Sequence, residues 1–281
     1  MNEKLEVRVY SAKNRQEGFS ALLKDMFRDL SKSMDLGYRL AKRDIQGMYR
    51  QSLLGIFWAF ITPLLTSVIW IFLNATGVIK TGQTNIPYPA YVFAGTILWS
   101  IFTEGIMSPI NQTQQSKAVM SKINFPKEGL LLAAFYKLAF NSAIKLVLLI
   151  AFFLFMGVYP TATVVFVPFL MLGLMVFGFV IGMFLTPLTL LFGDVGRAIP
   201  LALQLFMFLT PVVYIMPAGG VLLQIMKLNP VTPMIMSVRN FLSGYEFYMP
   251  GYFAVVMLAT LALSLVAWII YRMSIPIIVE R

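Results

Sequence analysis

The sequence predicts an all-α integral membrane protein of six transmembrane helices, with an N-terminal interfacial helix and a re-entrant helical hairpin between helices five and six. Three observations lead there. Of 281 residues, 59% are hydrophobic and 12% charged, and the mean hydropathy is +0.79, which excludes an ordinary soluble enzyme. The apolar residues gather in long uncharged runs, each able to cross a bilayer core of ~30 Å. Eleven of the 22 Lys and Arg fall in the first fifty residues, ahead of the first run, which places that flank at an anionic, cytoplasmic surface.

The first twenty residues contain no apolar core followed by a small-residue cleavage site, so no removable signal is expected and the first span serves as its own insertion signal. Two amphipathic stretches follow. Residues 20–34 set Leu22, Leu23, Met26, Phe27 and Leu30 at helical spacing. Residues 36–50 set Leu36, Leu40 and Met48 on one side, with Arg39, Lys42, Arg43 and Arg50 available to phosphates. The second reads as a helix lying flat on the leaflet. Residues 1–35 form a cytoplasmic segment, and residues 36–281 a single transmembrane domain.

Six spans follow at about 53–73, 90–110, 130–156, 162–192, 198–215 and 252–271. Loop by loop, 17 cations fall on the side of the N-terminus against three (Lys80, Lys227 and Arg239) on the other. Both termini are therefore expected in the cytoplasm. Residues 216–251 are too long for a turn, yet their apolar pieces 221–228 and 234–242 each reach only ~12–14 Å, too short to cross. A re-entrant hairpin dipping into the outer leaflet, broken at Asn229-Pro230 and ended near Ser243-Gly244, accounts for them.

With no cysteine and no histidine, thiol nucleophiles, imidazole bases and zinc sites with such ligands are absent, and no metal site is expected. No Gly-Lys dipeptide exists, so there is no phosphate-binding Walker A loop and the chain is not its own ATPase. The carboxylates are scattered and only Glu104 lies in a span, which disfavours a membrane transferase. The placement of the cations suits a membrane surface, and nucleic acid is not expected as a partner.

Intramembrane charge is the sharpest feature. Glu104 lies 14 residues into span two from the outside, roughly 21 Å, and Lys137 seven residues into span three from the inside, roughly 10 Å. Similar depths on antiparallel neighbours predict a Glu104–Lys137 ion pair. Lys137, Asn141 and Lys145 recur at intervals of four. As a stripe facing a conduit they attract phosphates or uronic acids. Alternatively, Lys145 snorkels to the outer interface. An ion-coupled transporter or channel would use the same set. Between spans two and three, cations, an apolar rim (Val119, Met120, Ile123, Phe125) and Pro126 form a knob suited to a cytoplasmic partner.

Four blocks, RDIQGMYRQSLLGIFWAFITPL (43–64), SKINFPKEGL (121–130), FGDVGRAIPLALQLFMFLTPVVY (192–214) and LNPVTPMIMSVRNFLSG (228–244), resemble in order the membrane subunit of ABC exporters for polysaccharides and polyol phosphates. The resemblance implies a homodimer joined to two separate nucleotide-binding subunits that use ATP and Mg. This chain itself would bind no cofactor. A conduit at the dimer interface would carry an undecaprenyl-linked glycan of O-antigen or capsule type across the bacterial cytoplasmic membrane, with teichoic acid or a smaller glycolipid as alternatives. The implied ATPase contacts are the interfacial helix and Ser116, Lys117, Met120, Ile123, Asn124, Phe125 and Pro126. The implied conduit lies on spans one and five, at Trp58, Thr62, Thr66, Phe206, Phe208 and Tyr214, with Lys145 added from the polar stripe. Arg39, Arg43 and Arg50 are candidates for the lipid headgroup, and the 193–197 motif is expected as a cytoplasmic turn. The tail MSIPIIVER and the first 35 residues depart from the pattern.

Overall fold

A computed structural model of the chain describes residues 19–50, 57–78, 82, 84–120, 122 and 126–279. Among these there are ten α-helices and no strand. In order they are α1 (Phe19–Lys32), α2 (Met34–Arg50), α3 (Trp58–Ala75), α4 (Tyr88–Met120), α5 (Glu128–Phe155), α6 (Val167–Leu191, preceded by a 3-10 turn at Ala162–Phe166), α7 (Gly193–Met207), α8 (Val221–Leu228), α9 (Val231–Leu242) and α10 (Pro250–Val279). Four stretches are long and apolar enough to cross a membrane: α4, α5, the 3-10 turn with α6, and α10. The bent pair α8–α9 makes a fifth if counted as one.

The central helix is α4. Its 33 residues reach about 50 Å, well beyond an apolar core of ~30 Å, and α3, α5, α6 and α9 pack around it. Its closest neighbour is α6, because the seam between them has little side chain. A Cβ on Gly182 would lie 2.2 Å from the Ile106 carbonyl oxygen, and one on Gly178 would lie 2.7 Å from that of Phe102. Gly105 faces the same seam from α4. Small residues four apart let two backbones touch where lipid offers no hydrophobic drive for association.

The amphipathic helices are tied to the bundle. A Cβ on Gly37 of α2 would sit 2.6 Å from Leu132 Cβ, and Gly129 of α5 lies against Leu36. Met26 of α1 is fully buried, and Phe27 meets Trp268 of α10 edge-on with ring centroids 5.4 Å apart. Arg272 of α10 reaches Asp29 of α1 at 2.7 Å and Glu128 at the start of α5 with its other terminal nitrogen. One guanidinium fork thus ties three helices together.

The expected element boundaries move in four places. The second apolar window, expected to end at residue 110, continues as helix to Met120. The last, expected to end at 271, continues to Val279 and takes in most of the tail. Residues 193–197, expected as a turn, form the start of α7, with Asp194 in its first turn where the helix dipole favours an anion. The fifth window, expected to be helical to 215, ends at Met207. Pro211 has no N–H and restrains Thr210, so residues 208–213 turn instead, with Val212 N–H donating to the Thr210 carbonyl at 2.7 Å.

The α8–α9 pair breaks at Asn229-Pro230 with a bend of 81°, an elbow rather than a full reversal. The Asn229 side chain holds it. Its Oδ1 accepts from Val231 N–H at 2.9 Å, and its Nδ2 donates to the Leu209 carbonyl at 3.0 Å. At the other end, Gly244 adopts φ 77, the left-handed conformation that stops a helix without strain.

Arg239 of α9 is 3% exposed. It donates to the Pro211 and Val212 carbonyls at 3.1 and 2.9 Å and lies 3.7 Å over the Tyr91 ring. Gly95 makes room for it, since a Cβ there would lie 2.6 Å from Arg239 Nη2 and 1.9 Å from the Val212 oxygen. A residue that sequence alone counts as one loop cation is therefore the fastener between α9, α4 and the end of α7.

Candidate functional site

A cavity of about 650 Å³ opens between α3, α4, α5 and α7, with Met48 of α2 at its margin. Volumes in this range hold a bound ligand. From α3 come Trp58, Thr62 and Thr66; from α4, Thr96, Trp99, Ser100, Thr103 and Glu104; from α5, Asn141 and Lys145. The fourth wall is one face of α7, where Pro200, Leu203, Gln204 and Met207 follow the i, i+3, i+4, i+7 spacing of a single helical side.

Four of the seven proposed conduit residues, Trp58, Thr62, Thr66 and Lys145, line this space. The other three are not part of its lining. Phe206 packs 6.0 Å from Trp99, and Phe208 packs 6.1 Å from Trp70. Tyr214 follows the end of α7, and its carbonyl accepts from Tyr91 Oη at 3.1 Å. The α4 wall has a signal of its own in the sequence. Thr96, Ser100 and Thr103 form a hydroxyl row at helical spacing beside Trp99 and Glu104.

The expected Glu104–Lys137 pair is not formed. Glu104 pairs instead with Lys145, Nζ to Oε2 at 2.7 Å, and its Oε1 accepts from Asn141 Nδ2. Lys137 donates to Gln112 Oε1 at 3.1 Å, and Gln112 donates to Asp44 of α2 at 3.0 Å. The reason is register. Because α4 runs on to Met120, the first turns of α5 lie beside its extension, and Glu104 meets α5 two turns further along than equal depths implied. Lys145 is buried against Glu104, so snorkelling is excluded. A buried lysine in contact with a partly buried carboxylate also explains how the helices tolerate both charges, since pairing offsets much of the desolvation cost.

Along α2, Arg39 pairs with Asp35 at 2.8 Å and Arg43 with Asp44 at 2.7 Å, while Arg50 closes the helix; all three are exposed. The Arg39–Asp35 pair is exposed on both sides and holds weakly, and the Arg43 guanidinium is exposed although its partner Asp44 is largely buried, so both guanidiniums are accessible to phosphate. Ser116, Lys117 and Met120 occupy the last turn of α4, and Pro126 is exposed just before α5. Ile123, Asn124 and Phe125 lie outside the described residues. From this end of the bundle, Asp44, Gln112 and Lys137 link α2 to α4 and α5. α2 is thereby bonded to two of the helices that line the cavity.

The family described as ABC-2 type transporter matches residues 37–243. Curated relatives include two named O-antigen export system permease protein RfbA. That of Klebsiella pneumoniae is 24% identical over 250 residues, covering 85% of this chain and 94% of the relative. That of Myxococcus xanthus is 25% identical over 190 residues, covering 67% and 72%.

Proposed function

This chain belongs to the ABC-2 type transporter family of membrane permeases, and from that membership we propose that it forms the channel of an ATP-driven exporter for a lipid-linked polysaccharide of O-antigen or capsule type. The observation that carries the reading is the cavity between α3, α4, α5 and α7, where two tryptophans, Trp58 and Trp99, stand among rows of hydroxyls. Flat rings stack on the apolar faces of sugars, and hydroxyls exchange hydrogen bonds with sugar hydroxyls as one residue replaces the next. A lining of this kind grips a glycan without fixing it in one register, as passage requires. The names of the relatives support the same cargo class.

In this reading α3 and α7 are spans one and five of a six-span subunit in the bacterial cytoplasmic membrane. Both termini face the cytoplasm, and α8–α9 re-enters from the outside. Two copies enclose the conduit and two separate ATPase subunits, with ATP and Mg, dock on α2 and the 116–126 segment. The chain itself does no bond chemistry. Closure of the ATPases presses on α2, and the Gly37–Gly129 crossing and the Asp44–Gln112–Lys137 chain pass the push to α4 and α5. Coupling follows if the ATP-bound ATPases contact one arrangement of these helices better than the other. Arg39, Arg43 and Arg50 line the approach of the lipid diphosphate.

Affinity purification from source cells in mild detergent, followed by mass spectrometry, tests this. A soluble polypeptide with a Walker A loop is expected at equal copy number. Purification of the chain alone, with transport that does not need ATP, would sink it.

A further inference from the structure

We infer that the cavity selects a polymer rich in hydroxyl donors and without charge, a neutral glycan rather than a polyol phosphate. The inference rests on the reading of the cavity as the polymer's path. Two observations carry it, one of charge and one of hydrogen-bond polarity.

Among the described residues lining the cavity, Glu104 and Lys145 are the two that carry charge. They neutralise each other at 2.7 Å, and their exposure is unequal: the Glu104 side chain is 28% exposed and that of Lys145 is 7%. The cavity therefore meets the carboxylate first, with the ammonium behind it. Lys145, the one lysine of the polar stripe that lines the cavity, is masked by an anion, and a chain of phosphodiesters passing it meets the negative end of the pair and is repelled.

The hydroxyls add to this. Thr66 donates to the Thr62 carbonyl at 3.0 Å, Ser100 to that of Ile97 at 2.7 Å, and Thr103 to that of Ser100 at 3.1 Å. Each has committed its one proton to its own helix, so what it offers the cavity is lone pairs. Glu104, with one bond on each oxygen, also has accepting capacity left and no proton to give. Against these lone pairs stand the indole N–H groups of Trp58 and Trp99 and the amide of Gln204, so acceptors outnumber donors along the wall. Sugar hydroxyls supply donors for that surplus and can also accept from the indoles and the amide. Phosphodiester oxygens are acceptors themselves and leave the surplus unsatisfied.

The test uses the purified complex with its ATPase and the intrinsic fluorescence of Trp58 and Trp99, with Trp99→Phe as the control for the origin of the signal. Maltoheptaose and a glycerol phosphate heptamer are the two probes. Maltoheptaose is expected to bind at least about tenfold more tightly. Glu104→Gln keeps an acceptor for Asn141 and Lys145 but leaves the lysine's charge uncompensated, so it should tighten the phosphate probe and shrink the ratio at least about threefold. Equal or tighter binding of the glycerol phosphate heptamer to the native protein overturns the inference and leaves the conduit reading standing. A ratio unchanged in Glu104→Gln also overturns it. If neither probe perturbs the cavity tryptophans, it is the conduit reading itself that fails.

Discussion

Glu104 shows what a single residue demands of its neighbours in a bilayer. A lone carboxylate at that depth costs several kcal/mol, and Lys145 and Asn141 together meet the demand. Exchanging the charges tests which lysine is the partner. The single variants Glu104→Lys and Lys145→Glu should each lower the yield of folded protein, and the double exchange should restore most of it. An exchange of Glu104 with Lys137 should restore nothing, as fluorescence-detected size exclusion of the detergent extract can read. Both charges were legible in the sequence, because an ionisable residue inside an apolar run stands out on composition alone. Their pairing was not, since it depends on how far each helix continues past its apolar window. Arg239 was less legible still. It looks like any loop cation until the carbonyls of Pro211 and Val212 and the ring of Tyr91 are seen to surround it.

Among elements, the α4–α6 seam is held by the absence of side chains. Adding one methyl at Gly182 pushes into the Ile106 carbonyl, which cannot yield without moving the helix. Gly182→Ala should therefore lower stability by about 1–3 kcal/mol, seen as an earlier thermal transition of the purified protein. Gly173 lies on the same helix, but a Cβ there meets the sulfur of Met257 at 3.0 Å. That flexible thioether can swing away, so Gly173→Ala should stay within about 0.5 kcal/mol of the native protein. The Gly178-x-x-x-Gly182 spacing was readable in advance as a close-packing signal. Which helix it would meet was not, because α4 is two elements away in sequence. Local chemistry also decided the elements that sequence placed well. The Asn229-Pro230 break and the Gly244 stop fix α8 and α9 from within. The end of α7 is not legible in the sequence, because apolar residues continue past it and periodicity does not register a proline-directed turn among them.

At the scale of the whole molecule, α1 is the part whose importance the sequence understated. It lies outside the family's matched residues, yet Arg272 joins it to α5 and α10. The chain has no cysteine, so a single one reports cleanly. With Met26→Cys as the reporter, maleimide labelling should be slow in the native background, because position 26 is buried. Arg272→Gln should raise the labelling rate at least about tenfold, and an unchanged rate would mean that apolar packing alone holds α1 down. The Glu104–Lys145 contact has a further consequence, for the making of the protein. The partners are 41 residues apart in the chain, so at about 5–20 residues per second the carboxylate waits roughly 2–8 seconds for its lysine. During that delay the unpaired carboxylate costs α4 several kcal/mol in lipid. Waiting at the insertion machinery until α5 emerges would spare that cost, and the two helices would then enter the membrane as a pair.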